Sequence, residues 1–181
     1  MSSVVTIIVN IFFRLKMKVI TKTPRLIIAK MDNHDADLLF QLTSNQQVMK
    51  YFPKVLNYSE TCEMIDKILN QYKKYGYSLW KLLLKNKNEF IGIAGLLHQE
   101  IDGNKETEIS YRIKPQYWNR GFATEAAQAC KEYAEKVLKI KDLISLIHPD
   151  NIASKRVAEK LGAKKKKVTF FLGAEHEIHV Y

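Results

Sequence analysis

Residues 106–138 read ETEISYRIKPQYWNRGFATEAAQACKEYAEKVL, and two periodicities meet in them. Glu108, Ser110 and Arg112 fall on one side of an extended chain and Ile109, Tyr111 and Ile113 on the other, the period of two that marks a half-buried strand. After Thr124 the apolar positions Ala126, Ala127, Cys130, Tyr133, Ala134, Val137 and Leu138 recur at helical spacing, with Lys131, Glu132, Glu135 and Lys136 opposite them. Between strand and helix, Pro115 stops the extended run, and Trp118-Asn119-Arg120-Gly121-Phe122-Ala123-Thr124 makes a small-residue loop. A loop that runs straight into a helix leaves the first backbone N–H groups without partners at the positive end of the helix dipole, which is a site for phosphate. Gly121 and Ala123 keep that site open and Arg120 adds a positive charge. The G-x-A triplet by itself fits a tight turn with no ligand better, since such triplets are common by chance.

Outward from this stretch, the chain reads as strands with intervening helices. Arg25 to Ala29 is a first strand, and Asp32-Asn33-His34-Asp35 opens a helix carrying Ala36, Leu39, Phe40 and Leu42. Ser59 is the expected N-cap of a second helix, whose stripe of Met64, Ile65, Ile68, Leu69 and Tyr72 ends before Gly76. Ser78 to Leu84 and Phe90 to Leu97, joined by the polar turn Lys85 to Glu89, predict an antiparallel hairpin, and Asp102-Gly103-Asn104 turns into the Glu108 strand. Beyond the central helix come a short strand Leu143 to Ile147, a helix opened by Asn151 and closed by Gly162, and a last hairpin from Lys167 to Leu172 and His176 to Tyr181. The sum is a mixed α/β sheet flanked by helices. The apolar run Val4 to Phe13 has its positive charges after it, not before, and is too short to span a bilayer, so it reads as neither signal peptide nor anchor. Residues 1–16 are accordingly an extension, Met17 an alternative start, and residues 17–181 one domain.

The 181 residues are 46% hydrophobic, enough for one well-buried core and short for two. Cys62 and Cys130 have neither disulfide-framework nor metal-ligand spacing, so no metal is expected and free thiols in a reducing compartment are. The formal net charge of +10 suits nucleic acid, an anionic surface or an anionic cofactor. It is unevenly spread: Lys139 to Lys167 holds nine basic residues against three acidic, whereas Met31 to Asp66 holds six acidic against Lys50 and Lys54. A molecule that binds an anionic cofactor on one side and a cationic amine on the other would show this division, although a solvated charge run is the commoner origin of any one such cluster.

The chain resembles the GCN5-related N-acetyltransferase superfamily, in the branch of the ribosomal-protein N-terminal acetyltransferases of RimJ and RimL type. The resemblance rests on Thr23-Pro24-Arg25-Leu26, Ile91-Gly92-Ile93-Ala94-Gly95-Leu96, Glu108-Ile109-Ser110-Tyr111, Tyr117 through Ala126, Asn151, Ser154 and Glu159-Lys160-Leu161-Gly162, in that order from about Thr23 to the end. One position departs: Trp118 stands where the superfamily often has Gln or Arg. The resemblance implies a mostly antiparallel central sheet with a β-loop-α site for acetyl-CoA. Its pyrophosphate would lie on Asn119, Arg120, Gly121, Phe122, Ala123 and Thr124, and its pantetheine arm along the strand to Ile113. The segment Gln46 to Tyr58, with Tyr51, Phe52 and Tyr58, would wall the acceptor site.

Acetyl transfer from a thioester to an amine needs a base, a stabilised oxyanion and a proton for the departing thiolate, but no covalent protein intermediate. Glu108 is the candidate base, with a solvated strand glutamate as the alternative reading. Ser154 is the candidate proton donor and Asn151 the candidate holder of the pantetheine amides, although both residue types are also common helix openers. Cys130, on an apolar helical face, is not a nucleophile of choice. The expected partners are acetyl-CoA and an amine, which the resemblance extends to a ribosomal protein N-terminus, in a cytoplasmic enzyme, monomeric or homodimeric. The rival classes are an inactive CoA-binding sensor and a basic module for nucleic acid or the ribosome, the latter warranted by charge alone.

Overall fold

The computed structural model describes residues 17–181, so the apolar run Val4 to Phe13 lies outside the described residues. Eight strands form one sheet: β1 (Val19–Lys22), β2 (Leu26–Lys30), β3 (Leu79–Leu84), β4 (Phe90–Ile101), β5 (Asn104–Ile113), β6 (Leu143–Ile147), β7 (Lys164–Phe171) and β8 (Ala174–Val180). Their order across the sheet is β1-β2-β3-β4-β5-β6-β8-β7, antiparallel throughout except between β5 and β6. The mixed, mostly antiparallel sheet expected from the sequence is the one observed.

Helices cover both faces. On one, α1 (Ala36–Thr43) and α2 (Tyr58–Tyr75) bury Leu39, Leu42, Ile65 and Ile68 against Ile27, Leu79, Leu83 and Ile93. On the other, α3 (Phe122–Tyr133) lays Phe122, Ala126, Ala127 and Cys130 on Leu26, Trp80, Leu96, Ile109 and Leu143, with α4 (Ile152–Lys160) beside it. The small residues of α3 let that helix sit close to the sheet. Gly92, in the middle strand, serves the same closeness within the sheet, since a Cβ there would stand 2.3 Å from the Arg112 carbonyl oxygen.

Several boundaries differ from the sequence reading, each for a local reason. The strand β1 precedes the expected first strand. Asp32 to Asp35 form a 3-10 turn with a reciprocal capping box before α1 begins at Ala36. The N-cap of α2 is Asn57 rather than Ser59, because Asn57 accepts from the Glu60 amide while the Glu60 side chain accepts from the Asn57 amide. The central helix is not uniform to Leu138: Ala134–Leu138 widens into a π turn, closed by Lys139 in the left-handed region. The lysine tract Lys164 to Lys167 is not a loop but the start of β7, where exposed charge on an edge strand opposes pairing with another chain.

Candidate active site

The loop of residues 114–121 is fixed by its own side chains. The Trp118 ring N–H donates to the Ile113 carbonyl at 2.6 Å and so ties the loop to the end of β5, which gives the unexpected Trp a structural role. Tyr117 donates to Glu89 and packs edge-on against Phe122. Asn119 and Gly121 both take positive φ, +59° and +78°, and Gly121 is the residue from which α3 starts. A Cβ at Gly121 would meet only Arg25 Nη2, at 3.4 Å, so the backbone conformation, rather than crowding, demands glycine there. No side chain caps α3, which leaves the amides of Phe122, Ala123 and Thr124 directed out of the helix end.

Three residues outside the loop hold this helix end in place. Glu125, in the first turn, accepts from Thr23 Oγ1 at 2.5 Å, from the Arg25 amide at 2.9 Å and from Arg25 Nε at 2.6 Å. Arg25 also donates to the Arg120 carbonyl at 2.9 Å and stacks over the Phe122 ring, 4.3 Å from its centre. Sequence reasoning found the Thr23-Pro24-Arg25 block without its task, because the partner lies a hundred residues away. A cavity of about 730 Å³ opens beside the loop, with Arg25, Lys85, Lys87 and Arg120 in its lining, and adds to the positive field at the helix end.

Where β5 meets β6, the two strands pair only at Thr107 with Leu143 and at Glu108 with Ile144. Beyond that point they part, and Ser110 to Ile113 keep β4 as their ladder partner on one side only. The opening leads from the α3 end to the α1 and α2 face. Ser145 Oγ bonds the Ile109 carbonyl at 3.1 Å at its base, and the Tyr111 hydroxyl donates to the Ser154 carbonyl at 3.3 Å across it. An extended ligand with amide groups fits such an edge as a substitute strand. Ile113 faces this edge through its backbone alone, because its side chain is in the core. Phe122 likewise has its ring buried and only its amide at the helix end.

Asn151 caps α4: its side chain accepts from the Ser154 amide at 3.1 Å. The helix-opening reading of these two residues is therefore realised. It leaves the Asn151 amide N–H₂ without a hydrogen bond among the described residues, and the Tyr111 hydroxyl lies against Ser154, whose side chain bonds it, at the rim of the opening.

Glu108 is 7% exposed, on the α1 and α2 face, and accepts from Gln99 Nε2 at 2.8 Å. Burial pushes its carboxyl up to about 7, against the Gln99 hydrogen bond, the Arg112 charge and Ser110, which pull it down. It is not a solvated strand glutamate. Arg112, on the same side of β5, lies over Phe52, with Cζ 3.9 Å from the ring centre and Nη1 3.6 Å from Met64 Sδ. Phe52 and Tyr51 come from the segment between α1 and α2. Tyr51 donates to the Asp150 carbonyl at 3.1 Å and packs its ring on His148, so this segment bridges the opening. Tyr58 instead packs on Phe40 and donates to Asp37, away from Glu108.

The charge division expected from the sequence is partly consumed internally, with Lys139, Lys141, Arg156, Lys160, Lys164 and Lys166 of the basic run and Glu63 and Asp66 of the acidic run left exposed. Asp35 is buried with both oxygens 2.8 Å from Lys81, Glu60 caps α2 and pairs with Lys54, and Asp37 serves Tyr58. Among the lysines, Lys155 and Lys165 bind Glu177 and Lys167 binds Asp102. Both runs are thinned by these pairs, because local composition does not reveal which charges fold against each other.

An uncapped helix end after a left-handed glycine, next to a parted pair of parallel strands, is what the β-loop-α reading requires. The family model for an acetyltransferase (GNAT) domain matches residues 25–164. The chain belongs to the GNAT acetyltransferases. YkkB of Bacillus subtilis is 35% identical over 146 residues, 80% of this chain and 85% of that protein. The N-acetyltransferase YnaD of the same organism is 30% identical over 144 residues, 80% and 82% of the two chains. Among solved structures, a GNAT-family acetyltransferase of Bacillus anthracis superposes with a TM-score of 0.73 at 28% identity, covering 88% of this chain and 96% of its own. RimL, a ribosomal L7/L12 α-N-protein acetyltransferase solved with coenzyme A, gives a TM-score of 0.71 at 20% identity over 91% and 96%, a likeness of fold. This GNAT protein is thus an acetyl-CoA-dependent acyltransferase, and no helix among its described residues is long and apolar enough to cross a membrane.

Proposed function

We propose that this acetyltransferase acetylates a primary amine, a protein N-terminus or a small molecule, that reaches Glu108 from the α1 and α2 face. Acetyl-CoA supplies the activated thioester carbonyl. The amides of Phe122, Ala123 and Thr124, with Asn119, Arg120 and Gly121 shaping the turn, receive the pyrophosphate, and the free edge of β5 up to Ile113 aligns the pantetheine arm with help from Asn151. Glu108 takes the proton that the ammonium group must lose. The amine nitrogen then bonds the thioester carbon, the C–S bond breaks, the thiolate takes a proton from the Ser154 hydroxyl, the second proton lost by the nitrogen restores that hydroxyl, and Glu108 passes the first to solvent.

The observation that carries this reading is Glu108 itself: a buried carboxyl titrating at about 7, placed where β5 and β6 begin to part. A base is most effective when its pKa lies near the working pH. The domain doing this work is residues 17–181, and the free thiols of Cys62 and Cys130 suit a cytoplasmic setting. The experiment is release of CoA-SH from acetyl-CoA across a panel of amines, with the acetylated product identified by mass. Turnover that rises through pH 7 supports the assignment. Tight CoA binding with no turnover on any amine or peptide N-terminus would make the protein a sensor instead.

A further inference from the structure

Arg112 is a half-buried cation with a buried hydrogen-bond donor left unmet. Its Nε is shut off from solvent with no hydrogen-bond partner among the described residues, and its Nη1 has only the Met64 sulfur. Buried guanidinium groups are normally met by carboxylates or carbonyls, since an unpaired donor in such a place is costly. The carboxylates nearby are otherwise engaged or face away. Asp35 is held by Lys81, which is separated from Arg112 across the sheet by Ile93. Glu63 and Asp66 on α2 are exposed. Glu108, four residues back on the same strand, attracts Arg112 electrostatically but makes its hydrogen bond to Gln99. Phe52 lies under the guanidinium, 3.9 Å from Cζ to the ring centre, and a ring face offers a cation attraction but no hydrogen-bond acceptor.

On the reading that Glu108 receives the amine, we propose that Arg112 anchors the acceptor and that the acceptor is an α-amino acid or a close analogue, its carboxylate on the guanidinium edge and its ammonium group toward Glu108. The two residues are about 13 Å apart at their Cα atoms along the strand, by its rise per residue. Their charged ends lie on one face of β5 and near enough for each to shift the other's proton affinity, so a molecule carrying both an ammonium group and a carboxylate meets both of them there. The same cation repels polyamines, so the acceptor side does not favour a second positive charge.

The test compares each of a set of amino acids with its carboxamide and its decarboxylated amine, alongside spermidine and a C-terminally amidated dipeptide, using wild type, R112M and R112K. Free acids are expected to exceed their amides and amines by about 10- to 100-fold in kcat/KM, the range for one charge-assisted contact. R112M should raise KM for the acids by a similar factor with KM for acetyl-CoA held, and R112K should restore part of it. Equal or better use of amides, amines, spermidine or the dipeptide by wild type overturns the proposal while leaving the acetyltransferase reading intact. So does an R112M variant that loses activity equally on all acceptors, the mark of a structural residue. If no acceptor is turned over, calorimetry of the amino acids against CoA-saturated wild type still decides: binding of acids and not amides supports the anchor, and no such binding removes it.

Discussion

Replacing Glu108 with Gln separates a catalytic base from a structural glutamate through two opposite effects. The carboxyl is displaced by burial from 4.5 to about 7, so folding favours its protonated form. Below about pH 4.5 the group is protonated whether the chain is folded or not, and it costs the fold nothing. As pH rises from there to 7 the unfolded chain releases the proton first, and wild-type stability falls; above 7 the loss is complete and constant. At about 1.4 kcal/mol per pH unit, the full displacement amounts to about 3 kcal/mol. Glutamine keeps the shape, can still accept from Gln99 Nε2 and carries no charge. E108Q is therefore expected to be more stable than wild type at pH 8 by about 1–3 kcal/mol, or about 2–12 °C in Tm for a domain of this size, and equal to it near pH 4. Its kcat should fall roughly 10²- to 10⁴-fold, and the rise of activity through pH 7 should vanish from what remains. Thermal melts at pH 4, 6 and 8, beside single-turnover acetylation, measure both. A variant no more stable at pH 8 than at pH 4 relative to wild type would refute the buried, displaced carboxyl. A loss of tenfold or less with chemistry rate-limiting would refute its role as base.

Gly121→Asp places a side chain and a negative charge at a φ of +78° beside the open end of α3, and calorimetry should find acetyl-CoA binding abolished in a folded protein; unchanged affinity would remove this loop from the cofactor site. Lys81→Met strands the buried Asp35 carboxylate, and denaturant melts should show a loss of about 3–5 kcal/mol, most of it recovered by adding Asp35→Asn. Cys130 is fully buried and burial pushes its thiol up, so iodoacetamide should label it only on unfolding; labelling in native protein would contradict its place under α3.

Much of the architecture follows from local rules, and local rules are written in the sequence. The alternation from Glu108 to Ile113, the helical spacing after Thr124, Pro115 between them and the two-residue turn at Asp102-Gly103 each act within a few residues, so strand, loop, helix and hairpin follow from them. The phosphate-binding character of the loop follows too, because it depends on backbone N–H groups at a helix start and on one residue able to take positive φ. What the chain could not disclose is pairing between distant residues. Asp35 and Glu125 look like surface acids until Lys81 and the Thr23 and Arg25 groups are brought to them, and part of the acidic and basic runs is taken up in such pairs. The parting of β5 from β6 depends on which strands become neighbours. The state of Glu108 likewise depends on its burial, and that of Arg112 on Phe52 and on Met64 of α2 being brought over it. Burial is what displaces the one's proton and leaves a donor of the other unmet, and burial is a property of the assembled fold.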